Sequence, residues 1–162
     1  MRISLRDGFY VGFGLALVVG LFAIWLWQPE RQVRRHTENL LGKIGARSWT
    51  AVADFIGDDY SDQWGDDRTL MLARLREVFH YVRDLRIDAV DSVVNVENRR
   101  GLWRARISIH ADNSEVSAFI KERVNSVATP FELEWHHLSA KPWDWKLVRV
   151  SNPNLEISAG LE

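Results

Sequence analysis

The chain has 162 residues, a formal net charge of −1, 46% apolar residues and eight tryptophans. That is enough for one compact domain plus a short extra element, and it provides no global field to gather nucleic acid. No cysteine is present, which excludes disulfides, thiolate catalysis and cysteine-ligated zinc.

The first element is apolar. Residues 8–27, GFYVGFGLALVVGLFAIWLW, carry no charge. As a helix at ~1.5 Å per residue, this stretch matches the ~30 Å hydrocarbon core of a bilayer. Tyr10 at one end and Trp25 and Trp27 at the other suit interfacial anchors. A cleaved signal peptide is the rival reading. It needs a shorter apolar run and small residues before the cut, whereas the exit here reads IWLWQPE. The expectation is an uncleaved transmembrane helix over 8–27 behind a short tail, 1–7, with the lipid bilayer as partner. Gly8, Gly12, Ala16 and Gly20 recur every fourth residue. Such a row of small side chains lets two helices approach closely, so a homo-oligomer or a membrane protein partner is expected. Arg31, Arg34, Arg35 and Lys43 follow the span, against Arg2 and Arg6 before it. A literal count of positive charge keeps the domain in the cytoplasm. A short tail before a single span has instead the form of a signal anchor, and long domains translocate largely regardless of charge. The expected location is a single-pass membrane protein with its C-terminal domain extracytoplasmic.

After Gln28-Pro29, the residues Val33, Thr37, Leu40, Leu41 and Ile44 fall at helical spacing, although Gly42 and Gly45 weaken this helix. A second helix carries Trp49, Val52, Phe55 and Ile56 and stops at Gly57. DDYSDQWGDD, residues 58–67, is a polar loop holding Tyr60 and Trp64. A third helix runs over 69–83 with Leu72, Leu75, Phe79 and Val82 inward and Asp66, Asp67 or Thr69 as cap. From Leu85 the period becomes two. Leu85, Ile87 and Ala89 share one parity and Val90, Val94 and Val96 the other, which predicts a bulge or bend at 89–91. NRRG, residues 98–101, reads as a turn. Trp103, Ala105, Ile107 and Ile109 then alternate with Arg104, Arg106, Ser108 and His110, giving one dry and one wet face.

Residues 115–127 read as a helix, with Asp112 and Glu115 as a capping box. After Pro130, the residues Phe131, Leu133, Trp135 and His137 alternate with acidic and polar ones. The last strand has Trp143, Trp145 and Leu147 on one face and Val148 and Val150 on the other, which suggests a central strand. Residues 157–162 are a tail. The order of elements predicts an α+β fold: a transmembrane helix, then helices packed on a curved antiparallel sheet.

WTAVADFIGDDYSDQW resembles the opening of domains in the nuclear transport factor 2-like (NTF2-like) superfamily, which includes ketosteroid isomerase-like and SnoaL-like proteins. Asp59, Tyr60 and Trp64 occupy the place of that superfamily's acidic-Tyr-x-x-x-Trp segment. PFELEWHHLSAKPWDWKLVRV is similar to its final hairpin. The resemblance covers residues 31–156, and the helix at 115–127 departs from the simplest version of the fold. It implies a cone of helices against a strongly curved sheet. The superfamily holds isomerases, dehydratases and non-catalytic binding or dimerisation modules, including membrane-anchored ones such as an inner-membrane component of type IV secretion systems. The fold therefore does not choose the function.

An enzyme on this frame needs an acid or base inside the cone, and Tyr60, His137 and Asp59 are the candidates. His137 has the parity of Leu133 and Trp135, and imidazole moves protons near neutral pH. A histidine at a strand end is more often simply hydrogen-bonded or exposed. His136 and His137 point to opposite faces and cannot share a metal ion. Asp58-Asp59 and Asp66-Asp67 lack the spacing of a calcium loop. No phosphate loop, nucleophile elbow or zinc motif is present, so no cofactor and no metal are expected. Trp64, Trp103, Trp135 and Trp143 are candidate linings of a ligand pocket. Against that stands a core role, which suits Trp49, Trp103 and Trp145. Arg99, Arg100, Arg104 and Arg106 form either a basic strip or a solvated face. The expected function is a membrane-anchored binding or assembly module without evident catalysis. The alternatives are an isomerase- or dehydratase-like enzyme, or a lipid-binding domain using the cone.

Overall fold

The computed structural model describes residues 5–112 and 114–155, and within the first helix it describes side chains over 12–22. The elements are α1 (Leu5–Leu26), α2 (Pro29–Gly45), α3 (Trp49–Phe55), α4 (Arg68–His80), β1 (Arg86–Glu97), β2 (Arg100–His110), α5 (Glu115–Asn125), β3 (Phe131–His137) and β4 (Trp145–Ser151). The four strands form one antiparallel sheet in the order β1-β2-β3-β4.

Helix α1 exposes Phe13, Leu15, Leu17, Val18, Val19, Leu21 and Phe22 at 49–66%. Gly12 and Gly20 have open space where a Cβ would stand. Gly8, Tyr10 and Trp25 lie outside the described side chains. Among the described residues no helix is long and apolar enough to cross a membrane. The described residues therefore do not show the expected span over 8–27.

Helix α2 starts on Pro29, whose missing N–H costs nothing in the first turn. It buries Val33, Thr37, Leu40 and Ile44 as the periodicity predicts, and it continues through Gly42 to Gly45. The Thr37 hydroxyl donates to the Val33 carbonyl at 3.0 Å, so its burial leaves no unpaired donor. Val33 lies against Gly101 of β2, where an added Cβ would sit 2.5 Å from a Val33 methyl. Glycine at 101 is what lets the helix seat on the sheet. Helix α3 ends where Ile56 turns extended. From there the chain runs beside β4: the Gly57 N–H donates to the Leu147 carbonyl at 2.9 Å and the Ser61 N–H to the Val148 carbonyl at 3.0 Å. Strand β4 is therefore the end strand of the sheet, not a central one. Its apolar faces are explained by this backbone cover and by a register shift in β3 between Glu134 and Trp135.

The predicted bulge is present. Pairing runs from Val90↔Arg106 to Val93↔Arg104, with Asp91 at φ +57. The β1–β2 turn is shorter than expected. Asn98 and Arg99 both have positive φ, as a two-residue type I′ turn requires, and Arg100 and Gly101 already belong to β2. Helix α5 is capped by Ser114, whose side chain accepts from the Ser117 N–H, rather than by the expected Asp112–Glu115 box. Asp112 instead accepts from the Ser114 and Ser117 hydroxyls. Asn125 fixes the other end of α5 by pairing both backbone groups of Ile109. The core lies between the inner face of the sheet and the helices, with Val33, Val52, Val82, Trp103, Trp135 and Leu147 almost fully buried.

Candidate functional site

The inner face of the sheet is occupied by its own side chains. Trp103 and Trp135 stand on adjacent strands, in the pairs Trp103↔Leu133 and Gly101↔Trp135. Both are buried, so these two pocket candidates belong to the core. Their indole Nε1–H groups have no hydrogen-bond partner. A buried unpaired donor costs ~1–3 kcal/mol, and among the described residues these two indoles are the buried side-chain donors that carry it. Trp145 escapes the same fate by donating to the Pro142 carbonyl at 3.0 Å. Trp64 is half-buried and donates to the Leu155 carbonyl at 2.9 Å, holding the C-terminal segment. Trp143 is exposed.

The three catalytic candidates are not brought together. Tyr60 is buried and its hydroxyl donates to Asp62 Oδ2 at 3.3 Å. Burial, and then the adjacent Asp62 carboxylate, push the phenol far above its ordinary range, so Tyr60 is a hydrogen-bond donor and not a base. Asp59 is largely exposed and lies 3.9 Å from His136 Nδ1, on the wet side of β3. His137 stacks on Trp145 with ring centroids 4.7 Å apart, and its Nε2 lies 2.6 Å from the Lys141 carbonyl. Around Tyr60 sequence reading missed Asp62 and Arg74, and it offered Asp66 only as a helix cap or in an acidic pair. Asp62 Oδ1 accepts from the backbone N–H groups of Trp64 and Asp66, both at 2.9 Å. Asp66, itself buried, meets Arg74 at 2.8 Å. Burial first and Asp62 second raise the Asp66 carboxyl above its ordinary value, and Arg74 opposes them. The signal available was DYSDQWGD: two aspartates four apart around Gly65, whose φ of +84 suits glycine. The cluster shapes the loop and presents no nucleophile.

His36, also missed, ties α2 to the β3–β4 connection. Its Nδ1 lies 2.8 Å from the Gln32 carbonyl and its Nε2 2.9 Å from the Trp143 carbonyl. Both partners only accept, so a neutral ring satisfies one contact and an imidazolium both.

The open surface lies on the outer face of the sheet. A groove of about 710 Å³ runs across the strands, lined among others by Arg100, Leu102, Glu132, Glu134, Arg149 and Ser151. Cross-strand register places the charges in opposition. Arg104 meets Glu132 at 2.6 Å, Arg100 lies 3.9 Å from Glu134, and His136 Nε2 lies 3.0 Å from Glu134. Arg106 meets Asp91 at 2.6 Å. Of the four arginines read as a basic strip or a solvated face, Arg100, Arg104 and Arg106 face acidic partners in solvent, while Arg99 donates to the Ser139 carbonyl. Arg149 is exposed and has no ion pair among the described residues. No group of three or more metal-ligating side chains occurs among the described residues.

No protein-family model and no curated protein matches the chain. Solved structures do. Bd1075 of Bdellovibrio bacteriovorus superposes with a TM-score of 0.57 at 9% identity, over 75% of this chain and 40% of that one. An NTF2-like protein of unknown function from Pseudomonas putida KT2440 gives 0.56 at 9% identity, over 75% and 82%. A protein provisionally assigned as a scytalone dehydratase, from Novosphingobium aromaticivorans, gives 0.52 at 12% identity, over 74% and 79%. At these identities the likeness concerns fold alone, and the fold is NTF2-like, α+β, with an antiparallel sheet.

Proposed function

We propose that the chain is a non-catalytic binding or assembly module of the NTF2-like type, spanning 31–156 and held at a membrane by residues 8–27. The observation that carries the reading is the contrast between the two faces of the sheet. Tyr60 and His137 are each hydrogen-bonded within their own loops, Trp103 and Trp135 fill the inside, and the accessible groove is polar and lies outside. A groove that sets Arg100 and Arg149 beside Glu97, Glu132 and Glu134 suits a protein segment of complementary pattern, from a second copy or a membrane protein partner. The anchor is supported by the apolar side chains exposed along α1, which cost ~25 cal/mol per Å² in water and nothing comparable in lipid. The domain is placed on the extracytoplasmic side, in keeping with a signal anchor.

The test uses the full chain in detergent and in nanodiscs, with its assembly state read by native mass spectrometry. Arg149→Glu is expected to reduce the assembly or partner adduct, because it reverses an exposed charge of the groove. An unchanged adduct in Arg149→Glu and in Glu134→Arg overturns the groove reading. One observation favours a second reading: the two unpaired indole donors inside the domain. An apolar small molecule with one acceptor atom would satisfy either, as in a lipid-binding or enzyme-like pocket. A small molecule that co-purifies with the chain and is lost in Trp135→Phe would establish it.

A further inference from the structure

Both hairpin turns of the sheet lie at the end of the domain from which α2 leaves α1. The His137 N–H donates to the Arg99 carbonyl at 2.9 Å, and Arg99 Nη2 donates to the Ser139 carbonyl at 3.1 Å, so the β1–β2 turn and the β3–β4 connection are neighbours. His36, early in α2, holds the Trp143 carbonyl, and Val33 sits on Gly101 beside the turn. Residues 138–144 therefore lie beside the first turns of α2, directly after Trp27 and Gln28. The opposite end of the domain holds Leu85, beside the last residue of α2, and the start of α5.

The end beside α1 exposes large apolar groups, as the far end does at Tyr81, Val116 and Phe119; what sets it apart is its place directly after Trp27. Leu138 is 55% exposed, Trp143 60% and Trp27 56%. The connection that carries them is not slack. The Leu138 N–H donates to the Asp144 carbonyl at 2.9 Å, the Asp144 N–H to the Lys141 carbonyl at 3.0 Å, and Trp145 Nε1–H to the Pro142 carbonyl. Leu138 and Trp143 are thus held outward by a braced turn. An indole with one polar edge and one apolar body is favoured where headgroups meet acyl chains.

We infer that this end of the domain rests on the bilayer surface, with Leu138 and Trp143 inserted at headgroup level beside Trp27. The inference rests on the membrane anchorage proposed above and adds a second contact that orients the domain. Its outer-sheet groove then lies side-on to the membrane rather than against it. The charges at this end are mixed: Arg31, Arg35, Arg99 and Lys141 stand against Glu30, Glu97 and Asp144. The contact is therefore chiefly apolar, and neutral lipid suffices for it.

The absence of native cysteine makes a clean test possible. Single nitroxide labels are placed on Leu17→Cys, Leu138→Cys, Trp143→Cys and Phe119→Cys of the full chain in phosphatidylcholine vesicles. Phe119 is 69% exposed on α5 and serves as the distal reference. Power-saturation EPR then compares collision with oxygen and with a water-soluble nickel chelate. The expected result is loss of nickel collision at 17, 138 and 143, with full collision at 119. Shielding at 17 with 138 and 143 as open as 119 overturns the docking and leaves the anchor standing. An open label at 17 overturns both. Shielding of 138 and 143 that appears only when anionic lipid is added overturns the apolar contact.

Discussion

The two faces of the sheet use the same alternating strands for opposite ends. On the inner face Trp103, Trp135, Trp145 and Leu147 are buried, and among the described residues the indole donors of Trp103 and Trp135 are left without partners there. On the outer face the interleaved residues are Arg100, Arg104, Glu132 and Glu134, paired across strands and left in solvent around an open groove. The inside is where the domain's stability resides, and the outside is where a partner can be met at little structural cost. Among the described residues the inner face of the sheet is filled by its own side chains.

This contrast predicts unequal effects of substitution. The largest is expected inside. Trp135→Ala, at a fully buried position, should destabilise the domain by ~3–5 kcal/mol, read as a loss in the urea midpoint with the slope unchanged. Gly101→Ala comes next. Its new methyl meets Val33, itself fully buried, and overpacking of this kind costs ~1–3 kcal/mol. Wild-type stability in Gly101→Ala would show that α2 does not press on the sheet there. On the outer face, Arg104→Ala should change stability by no more than ~1 kcal/mol, since both members of its ion pair are partly exposed. A loss as large as that of Gly101→Ala would erase the distinction between the faces.

The carboxylates sharpen the same comparison through pH. Asp66 is raised by burial and by Asp62. Its contribution is full below the unfolded pKa and is lost as pH rises through the folded one. Asp112, on the surface, is lowered, first by its hydrogen bond from Ser117. Its contribution is present above the ordinary carboxylate pKa and is lost as pH falls through the folded value. Denaturation of wild type and Asp112→Asn, followed from neutral pH down through the carboxylate range, should therefore converge on the acid side. Curves that stay parallel would show that the Ser114–Ser117 contacts do not favour the ionised form.

Much of this frame is legible in the sequence. The inward face of α2, the parity switch at 89–91, the dry and wet sides of β2 and the apolar first segment all follow from periodicity. The α+β class and the NTF2-like resemblance came from the order of elements and from the Asp59–Tyr60–Trp64 segment. What was hidden depends on register or on distant contacts. The matching of Arg104 with Glu132 is invisible until β2 and β3 are aligned. Strand β4 read as central because its outer edge is covered by the chain's own residues 56–63. Ser114 took the cap expected of Asp112 because a hydroxyl at that place reaches the Ser117 N–H. His36 gave no sign of its role, since its partner Trp143 is remote in sequence. Tyr60 read as a catalytic candidate beside His137, but its hydrogen-bond partner is Asp62, two residues on, in a loop that also holds the buried Asp66.

The central claim is that the closed interior leaves the outer groove as the binding surface of a membrane-held module. Native mass spectrometry of the full chain released from nanodiscs tests it most directly, with wild type, Arg149→Glu and Trp135→Phe compared side by side. The account predicts an oligomer or protein adduct that weakens in Arg149→Glu and persists in Trp135→Phe, with no small molecule retained. A monomer that carries a small molecule, displaced by Trp135→Phe and indifferent to Arg149→Glu, would contradict it.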